Sequence, residues 1–386
     1  MLADVHVLAA KIGPRGTGTP AEAAAAQFVA ERLETLNLAF ERHTFLAVNS
    51  QNAFPLAINT VALLAVALYF GGGAVGRWLG AGLALSTPPM LWQTIRMSNN
   101  PLRPLLPKVT SHNVVARIPS QGETSQHAVL LAHLDTNRCR IAWQSSAVHS
   151  LEPLTYLTLA MLASPGLLFL ADILFGLRWA GWAALLPTAY NAGAVITLWK
   201  DERTPFSPGA HDNAASVAVA LEVGCRLAAR PLERTQLWLA FTGAEETDHA
   251  GLYTLLRHHG AALRDAAFIG LEGLGSGELV YLTQQGLCFH YEPDAHLVAL
   301  AAGVAARRPE LGLRPARMTM EDEVGTLRRL GYRAMCIAGR DPVSGTLPHW
   351  HRADDAEDTI SPEFMERAAD LIVALLSALD EQTFST

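Results

Sequence analysis

Two adjacent glutamates, Glu245 and Glu246, follow the apolar run Leu237 to Phe241 in the stretch LAFTGAEETDHAG. Such a run reads as a buried strand. An unpaired carboxylate taken out of water costs several kcal/mol, so two together require a nearby cation, a shared proton or open solvent. The first two conditions belong to metal binding and acid–base chemistry. The third belongs to an ordinary wet loop, where charged pairs most often sit. Further candidates for the same chemistry are His133 and Asp135 in HAVLLAHLD, Asp212 in GAHDNAAS, Glu272 in GLEGLG and His351 in HRADDAEDTI.

The elements that would carry these residues follow from local pattern. PAEAAAAQFVAERLETL reads as an amphipathic helix with Thr19 as its cap and Pro20 in the first helical position. AFERHTF and SHNVVARIP alternate as strands, whereas HAVLLAHLD is continuously apolar and suits a strand buried on both faces. A helix is expected from Asn213 to about Arg230, then a strand from Thr235 to Phe241, a helix near Gly251 to His259 and a strand from Ala267 to Glu272. Strands near Glu278 to Thr283 and Arg333 to Ala338 flank a helix after Pro293, and Ser361 to Leu379 closes as a helix. The pattern predicts an α/β sandwich on a mixed, mostly parallel sheet. Ligand sites in open sheets of this class form beyond the carboxyl ends of the strands. The acidic and histidine candidates gather at those ends.

Composition bounds the partners. The 386-residue chain carries a formal net charge of -7, which gives no basic footprint for nucleic acid. Its cysteines, Cys139, Cys225, Cys288 and Cys336, have no paired metal spacing and read as ordinary thiols. Half the residues are hydrophobic, and the excess is localised in four stretches without Asp, Glu, Lys or Arg: Ala53 to Gly76, Trp78 to Ile95, Pro153 to Ala171 and Trp179 to Trp199. Each has the length of a bilayer span. Polar tips at Arg77 and around Asp172 to Arg178 split them into two helical hairpins. Asp172, close to its tip, is expected to meet lipid headgroups. Buried core helices are the alternative. Arg96, Arg103, Lys108, Arg138, Arg140, Lys200 and Arg203 lie on the non-tip side, which the positive-inside rule assigns to the cytoplasm, the remainder of the chain with it. The N-terminus runs directly into a polar helix, so no cleavable signal peptide is expected.

Taken in order, HLD, GAHDNAAS, GAEE, GLEGLG and HRADDAEDTI resemble the motifs of the co-catalytic zinc exopeptidases of clan MH, which include bacterial leucyl aminopeptidases, glutamate carboxypeptidase II and glutaminyl cyclase. The opening GPRGTGTPAEAAAAQFVAERL is similar to that family's first helix. The resemblance implies two zinc ions, with His133 on one, Asp212 bridging both, Glu246 and His351 on the other and Glu272 completing the first. It implies Glu245 as the general base, Asp135 as the group that orients His133, and a cis peptide after Asp212. Three ligand carboxylates against two divalent ions leave one net positive charge. Glu272 departs from the family's more frequent Asp, and EDEVGTLRRLG replaces its usual polar-aromatic loop. His351 is preferred to His349 on motif context, His211 is expected in the wall of the site, and His249, His258 and His259 on a solvated helix face.

Residues 1–50, 109–145 and 205–386 are thus expected to form a zinc peptidase domain, interrupted by hairpins at 51–108 and 146–204. The implied activity is that of a membrane-associated metallopeptidase, most simply an aminopeptidase, acting on a peptide or amide substrate that is apolar or borne by the membrane. A glutaminyl-cyclase-like or N-acyl-amino-acid amidohydrolase activity is the enzymatic alternative. A non-catalytic membrane scaffold of the same fold is the non-enzymatic one. The alternative to membrane anchoring is packing of the hairpins on one another, as a homo-oligomer interface or a lid in a soluble protein.

Overall fold

The computed structural model describes residues 1–98, 100–143 and 148–382. The chain divides into two compact units, one of Met1–Ala47, Lys108–Ser145 and Pro205–Thr386, the other of Val48–Pro107 and Ser146–Thr204. The expected boundary at 145/146 lies outside the described residues.

The first unit is built on eight strands: β1 (Phe40–Val48), β2 (Lys108–Ile118), β3 (Gln126–His133), β4 (Thr235–Thr242), β5 (Ala267–Glu272), β6 (Glu278–Gln285), β7 (Arg314–Met318) and β8 (Arg333–Arg340). Along the chain the helices are α1 (Leu2–Val5), α2 (Pro20–Thr35), α3 (Ala53–Gly71), α4 (Gly73–Ile95), α5 (Leu151–Phe175), α6 (Arg178–Ala183), α7 (Leu185–Asp201), α8 (Ser216–Ala229), α9 (Glu245–Asp248), α10 (Ala250–His259), α11 (Ala295–Arg307), α12 (Glu323–Arg329) and α13 (Pro362–Asp380). Helices α3 to α7 belong to the second unit.

The strands form one sheet in the order β1-β2-β4-β3-β5-β8-β6-β7. Neighbours β4, β3, β5 and β8 run parallel, as do β6 and β7, whereas β2 meets β4 and β6 meets β8 antiparallel. The central strands are continuously apolar through their middles, Ala128–Ala132 in β3 and Leu237–Phe241 in β4, because both faces are covered. Successive side chains point to opposite faces, so Leu130, Ala132, Leu237, Leu239 and Phe241 join one core with α2, α8, α11 and α13. Val129, Leu131, Trp238 and Ala240 join the other with α10 and α12. The expected cap is present, the Thr19 hydroxyl accepting the Glu22 N–H, and Ser361 likewise accepts that of Phe364. Sequence pattern missed β7, a short strand containing Pro315, and α12, whose acidic approach hides its apolar residues.

In the second unit the first turn falls at Gly72 rather than Arg77, which lies inside α4. Gly71, Gly72 and Gly73 supply the reason, since Gly73 takes a φ of +60° that side chains disfavour. Gly72, Gly76 and Gly80 then recur at one-turn spacing, and a Cβ at Gly80 would lie 2.5 Å from the Ala65 carbonyl. Small residues of this kind let helix backbones approach closely. The fourth apolar stretch is not one helix but two, α6 and α7, broken at Ala184. Asp172 does not point outward. It is buried, accepts a hydrogen bond from the Tyr69 hydroxyl and pairs with Arg77 at 2.7 Å. Helix α3 and the helical stretch Val148–Phe175 are long and apolar enough to cross a membrane.

One buried cation fastens the loops that approach the strand ends. Arg15, 1% exposed, donates to the backbone carbonyls of Leu8, Gly13, Leu134, Pro208 and Gly209. Burial pulls its pKa down to about 10, so it stays charged at neutral pH. Replacing it by methionine removes a charged donor from all five carbonyls, of which only Leu8 and Gly209 accept a further backbone N–H, and Arg15→Met is expected to cost about 3 kcal/mol or more. Denaturant unfolding followed by tryptophan fluorescence measures the loss; an unchanged midpoint contradicts this role.

Candidate metal centre

Each candidate residue is delivered by the end of an element. β3 terminates at His133, β5 at Glu272, and β4 runs into the turn Gly243 and Ala244 that starts α9 with Glu245 and Glu246. Asp212 lies in the loop before α8, and His351 in the loop after β8. The turn after β4 is tight. A Cβ on Gly243 would lie 2.4 Å from Ser111 Oγ, and Ala244 adopts a φ of 53°, a left-handed conformation found mainly where function demands it.

The predicted residues converge on Asp212. Its Oδ1 lies 3.1 Å from His133 Nε2, and its Oδ2 lies 3.2 Å from His351 Nε2. Glu272 Oε2 is 3.5 Å from His133 Nε2, and Glu246 Oε1 is 3.1 Å from His351 Nε2. One carboxylate therefore faces two separate groups, His133 with Glu272 and His351 with Glu246, each able to hold a metal ion. The peptide bond between Asp212 and Asn213 is cis, as the sequence resemblance implies.

The surroundings fix this arrangement. Asp355 accepts hydrogen bonds from the His211 and Asp212 N–H groups, at 2.7 and 3.2 Å. The Asn213 amide donates to the Leu271 carbonyl at 2.9 Å and accepts from the Gly273 N–H. Asn137 donates to Glu246 Oε2 at 2.8 Å. Asp135 accepts the N–H groups of Glu245 and Glu246, at 3.0 and 3.2 Å, and the Thr17 hydroxyl at 2.7 Å. Its carboxylate is 3.7 Å from His133 Nδ1, and the nearer acceptor is its own backbone carbonyl at 3.0 Å. A carbonyl only accepts, so Nδ1 carries a hydrogen and Nε2 is the nitrogen turned toward Asp212. Glu22 accepts from Ala244 N–H, Gly18 N–H and Ser111, joining α2 to the turn that carries the glutamate pair.

The charges respond to burial. Glu245 is pushed well above the usual carboxylate range, first by burial and then by Glu246 and Glu272, against the pull of His133. Burial likewise raises Glu272 to about 7. Burial disfavours the charged histidines, yet Glu246 and Asp212 outweigh it at His351 and raise it to about 9. Carboxylates crowded out of water in this way favour divalent cations between them.

Not every histidine behaves as its pattern predicts. His349 pairs with Asp354, is partly exposed, and packs its ring on His211 with centroids 5.2 Å apart. His211 is fully buried, held between Asp355 and Ser276. His258 is exposed, but His249 is not on a solvated face. Its left-handed backbone breaks the chain between α9 and α10 and turns the ring inward, 3.4 Å from Glu245 Oε1 and 3.0 Å from Thr326 Oγ1. Burial pulls it down to about 3, so it is neutral. Sequence reading also passed over Arg15, Asn137 and Asp355 as site-builders. Their proximity to the motifs was the only signal, since each acts through backbone groups or through a ligand candidate. Trp143 and Trp350 flank His351 at 5.0 and 5.1 Å between ring centroids.

The donor set fits zinc. Two imidazoles and three carboxylates are its usual ligands, and bonds of about 2.0 to 2.2 Å separate neighbouring ligand atoms by roughly 3.4 Å, close to the separations around Asp212. His133 turns Nε2 toward Asp212 and Glu272, and His351 Nδ1 has no hydrogen-bond partner that would reverse its ring.

Comparison with known proteins agrees with the fold. Residues 198–376 match the model described as Peptidase family M28. Among solved structures the fold is similar to BSAP, a zinc aminopeptidase from Bacillus subtilis, at 15% identity and a TM-score of 0.57 over 100% of this chain and 95% of that one. An aminopeptidase from Aneurinibacillus sp. strain AM-1 aligns at 14% identity and 0.55 over 97% and 92%. Porphyromonas gingivalis glutaminyl cyclase aligns at 14% and 0.55 over 99% and 97%. No curated protein sequence matches.

Glu323 supplies a pH test. It is buried, accepts a hydrogen bond from Thr242 at 2.9 Å, and burial pushes it from an ordinary 4.5 up to about 8. A raised carboxyl means that the fold prefers the neutral form. Its contribution is full below about 4.5 and is lost as pH climbs through about 8. In chelator-treated protein, Glu323→Gln is expected to flatten the fall in stability across this range, as read from denaturant midpoints. Parallel curves for the two proteins rule the assignment out.

Proposed function

Because residues 198–376 belong to Peptidase family M28, we propose that this chain is a zinc-dependent exopeptidase, an aminopeptidase in its simplest form, attached to a membrane through its apolar helices. The single observation that carries the reading is the division of Asp212, one oxygen toward His133 and the other toward His351. His133, Asp212 and Glu272 would hold one zinc ion, and Asp212, Glu246 and His351 the other. Bound there, the pair would supply Lewis acidity toward the scissile carbonyl and the attacking water. Glu245 accepts the water proton and returns one to the leaving amine. Its buried carboxyl, raised in pKa, suits both transfers. Asp135 positions the base by holding the backbone of Glu245 and Glu246. Trp143 and Trp350 offer apolar faces beside His351 to a substrate side chain.

Attachment rests on α3 and the Val148–Phe175 stretch, whose most apolar windows are 39% and 28% buried, too little for core helices. Trp78, Trp92, Trp179, Trp182 and Trp199 are exposed near helix ends, where aromatic rings suit the membrane interface. The positive-inside rule applied to Arg96, Arg103, Lys108, Lys200 and Arg203 supports a cytoplasmic side for the peptidase unit. An anchored enzyme meets amide substrates carried in or near the bilayer.

Glu245→Gln is expected to lower kcat about 10²- to 10⁴-fold with zinc content unchanged, whereas Asp212→Asn loses both metal and activity. Steady-state kinetics beside elemental analysis test this; a Glu245→Gln enzyme of normal kcat removes the base assignment. Peptides beginning with glutamine separate the enzymatic alternatives, since cyclisation without hydrolysis moves the reading to a glutaminyl-cyclase-like transferase. After carbonate washing, the protein is expected to stay with the membrane pellet. Release into the supernatant ends the anchoring proposal.

A further inference from the structure

Among the described residues, one group of metal-ligating side chains lies apart from Asp212: Glu41 and His43 on β1 and His259 at the end of α10. Glu41 Oε2 is 3.7 Å from His43 Nε2 and 3.3 Å from His259 Nε2. His43 is 5% exposed, yet neither of its ring nitrogens has a hydrogen-bond partner, and His259 Nε2 has none either. Buried polar nitrogens are otherwise satisfied almost without exception, and each such orphan calls for an explanation. Stacking on His258, with ring centroids 4.2 Å apart, orients the His43 ring but does not satisfy its nitrogens.

The geometry points to a separate metal site in which His43, His259 and Glu41 hold a zinc-class divalent ion that ties the edge strand β1 to the last turn of α10. Two imidazoles and one carboxylate form a borderline ligand set suited to zinc. Bonds of about 2.0 to 2.1 Å around a tetrahedral ion separate the ligand atoms by roughly 3.4 Å, and both measured separations lie near that edge. The other Glu41 oxygen pairs with Arg117, which fixes the carboxylate with Oε2 toward the imidazoles. The end of α10 adds to this, because the carboxyl end of a helix favours positive charge. A water would complete the coordination on the exposed side of Glu41.

This ion has a structural role. Arg117 stands opposite Trp238 in the β2–β4 pairing, so the site lies roughly 13 Å down β4 from Thr242 at the usual strand rise. Glu245 and Glu246 follow the other end of that strand. The proposed ion therefore braces an edge strand and takes no part in hydrolysis. An edge strand benefits from such a tie because half of its backbone groups lack a neighbouring strand.

The test uses the full chain in detergent, stripped with a chelator and reloaded with Zn²⁺ alone at micromolar concentration. The His43→Ala/His259→Ala variant is expected to bind about one zinc ion per chain fewer than the unaltered protein, with peptide hydrolysis within about twofold of it. Glu41→Gln, which keeps the packing, is expected to weaken the same equivalent. Equal zinc content in the variants overturns the proposal, as does loss of hydrolysis in proportion to the lost metal, which would identify the missing ion as a catalytic one. Anomalous scattering at the zinc edge from the unaltered protein checks the site without any variant. A peak between His43, His259 and Glu41 supports it, and occupancy reached only at millimolar zinc overturns it. Because the readout is a difference in zinc content, a failure here is distinguishable from a failure of the peptidase assignment.

Discussion

The structure turns on the cost of gathering carboxylates away from water. Asp212, Glu246, Glu272 and Glu245 are all buried around one point, accompanied by His133 and His351. Packed together, like charges raise one another's pKa and oppose folding, and a divalent ion placed between them reverses the sign of that interaction. The division of the Asp212 carboxylate between two imidazoles is the geometric expression of this balance. Moving either histidine leaves one oxygen facing only other acids.

Such a cluster persists because its backbone is fastened from outside. Arg15 gathers carbonyls from the amino-terminal segment, the end of β3 and the loop before Asp212. Asp355 holds the N–H groups of that same loop, and Asp135 holds those of the glutamate pair. All three are buried ions bonded to main-chain groups. Charge-assisted hydrogen bonds are the stronger kind, which suits them to carrying loops in conformations that the chain would not choose by itself. The left-handed residues Ala244, His249 and His351 are examples of those conformations.

The apolar unit obeys different rules. Its helices approach through glycines, and its exposed surface is rich in large hydrophobic and aromatic side chains. Water penalises such a surface and lipid does not. Its cluster of Tyr69, Asp172 and Arg77 is internally satisfied, the condition under which polar groups are tolerated among apolar helices.

Much of this was legible in the amino-acid sequence. Strand and helix periodicity located β3, β4, β5, β8, α2 and α13, because two-sided burial and capping leave local signatures. The ordered motifs named Asp212 and the six residues found around it, because chemistry restricts residue type at a strand end. The turn at Gly72, the break at Ala184 and the inward ring of His249 were misread, since each depends on backbone choices that neighbouring residues permit but do not dictate. Asn137 and Asp355 escaped notice because a polar residue beside a motif has no pattern of its own until its partner arrives from more than a hundred positions away. Sequence alone thus determined which side chains were available and the order of elements delivering them. Tertiary structure decided which atoms face each other, His133 through Nε2 and Asp212 through both oxygens, because distance and orientation across the sheet are set by packing and are written in no single segment.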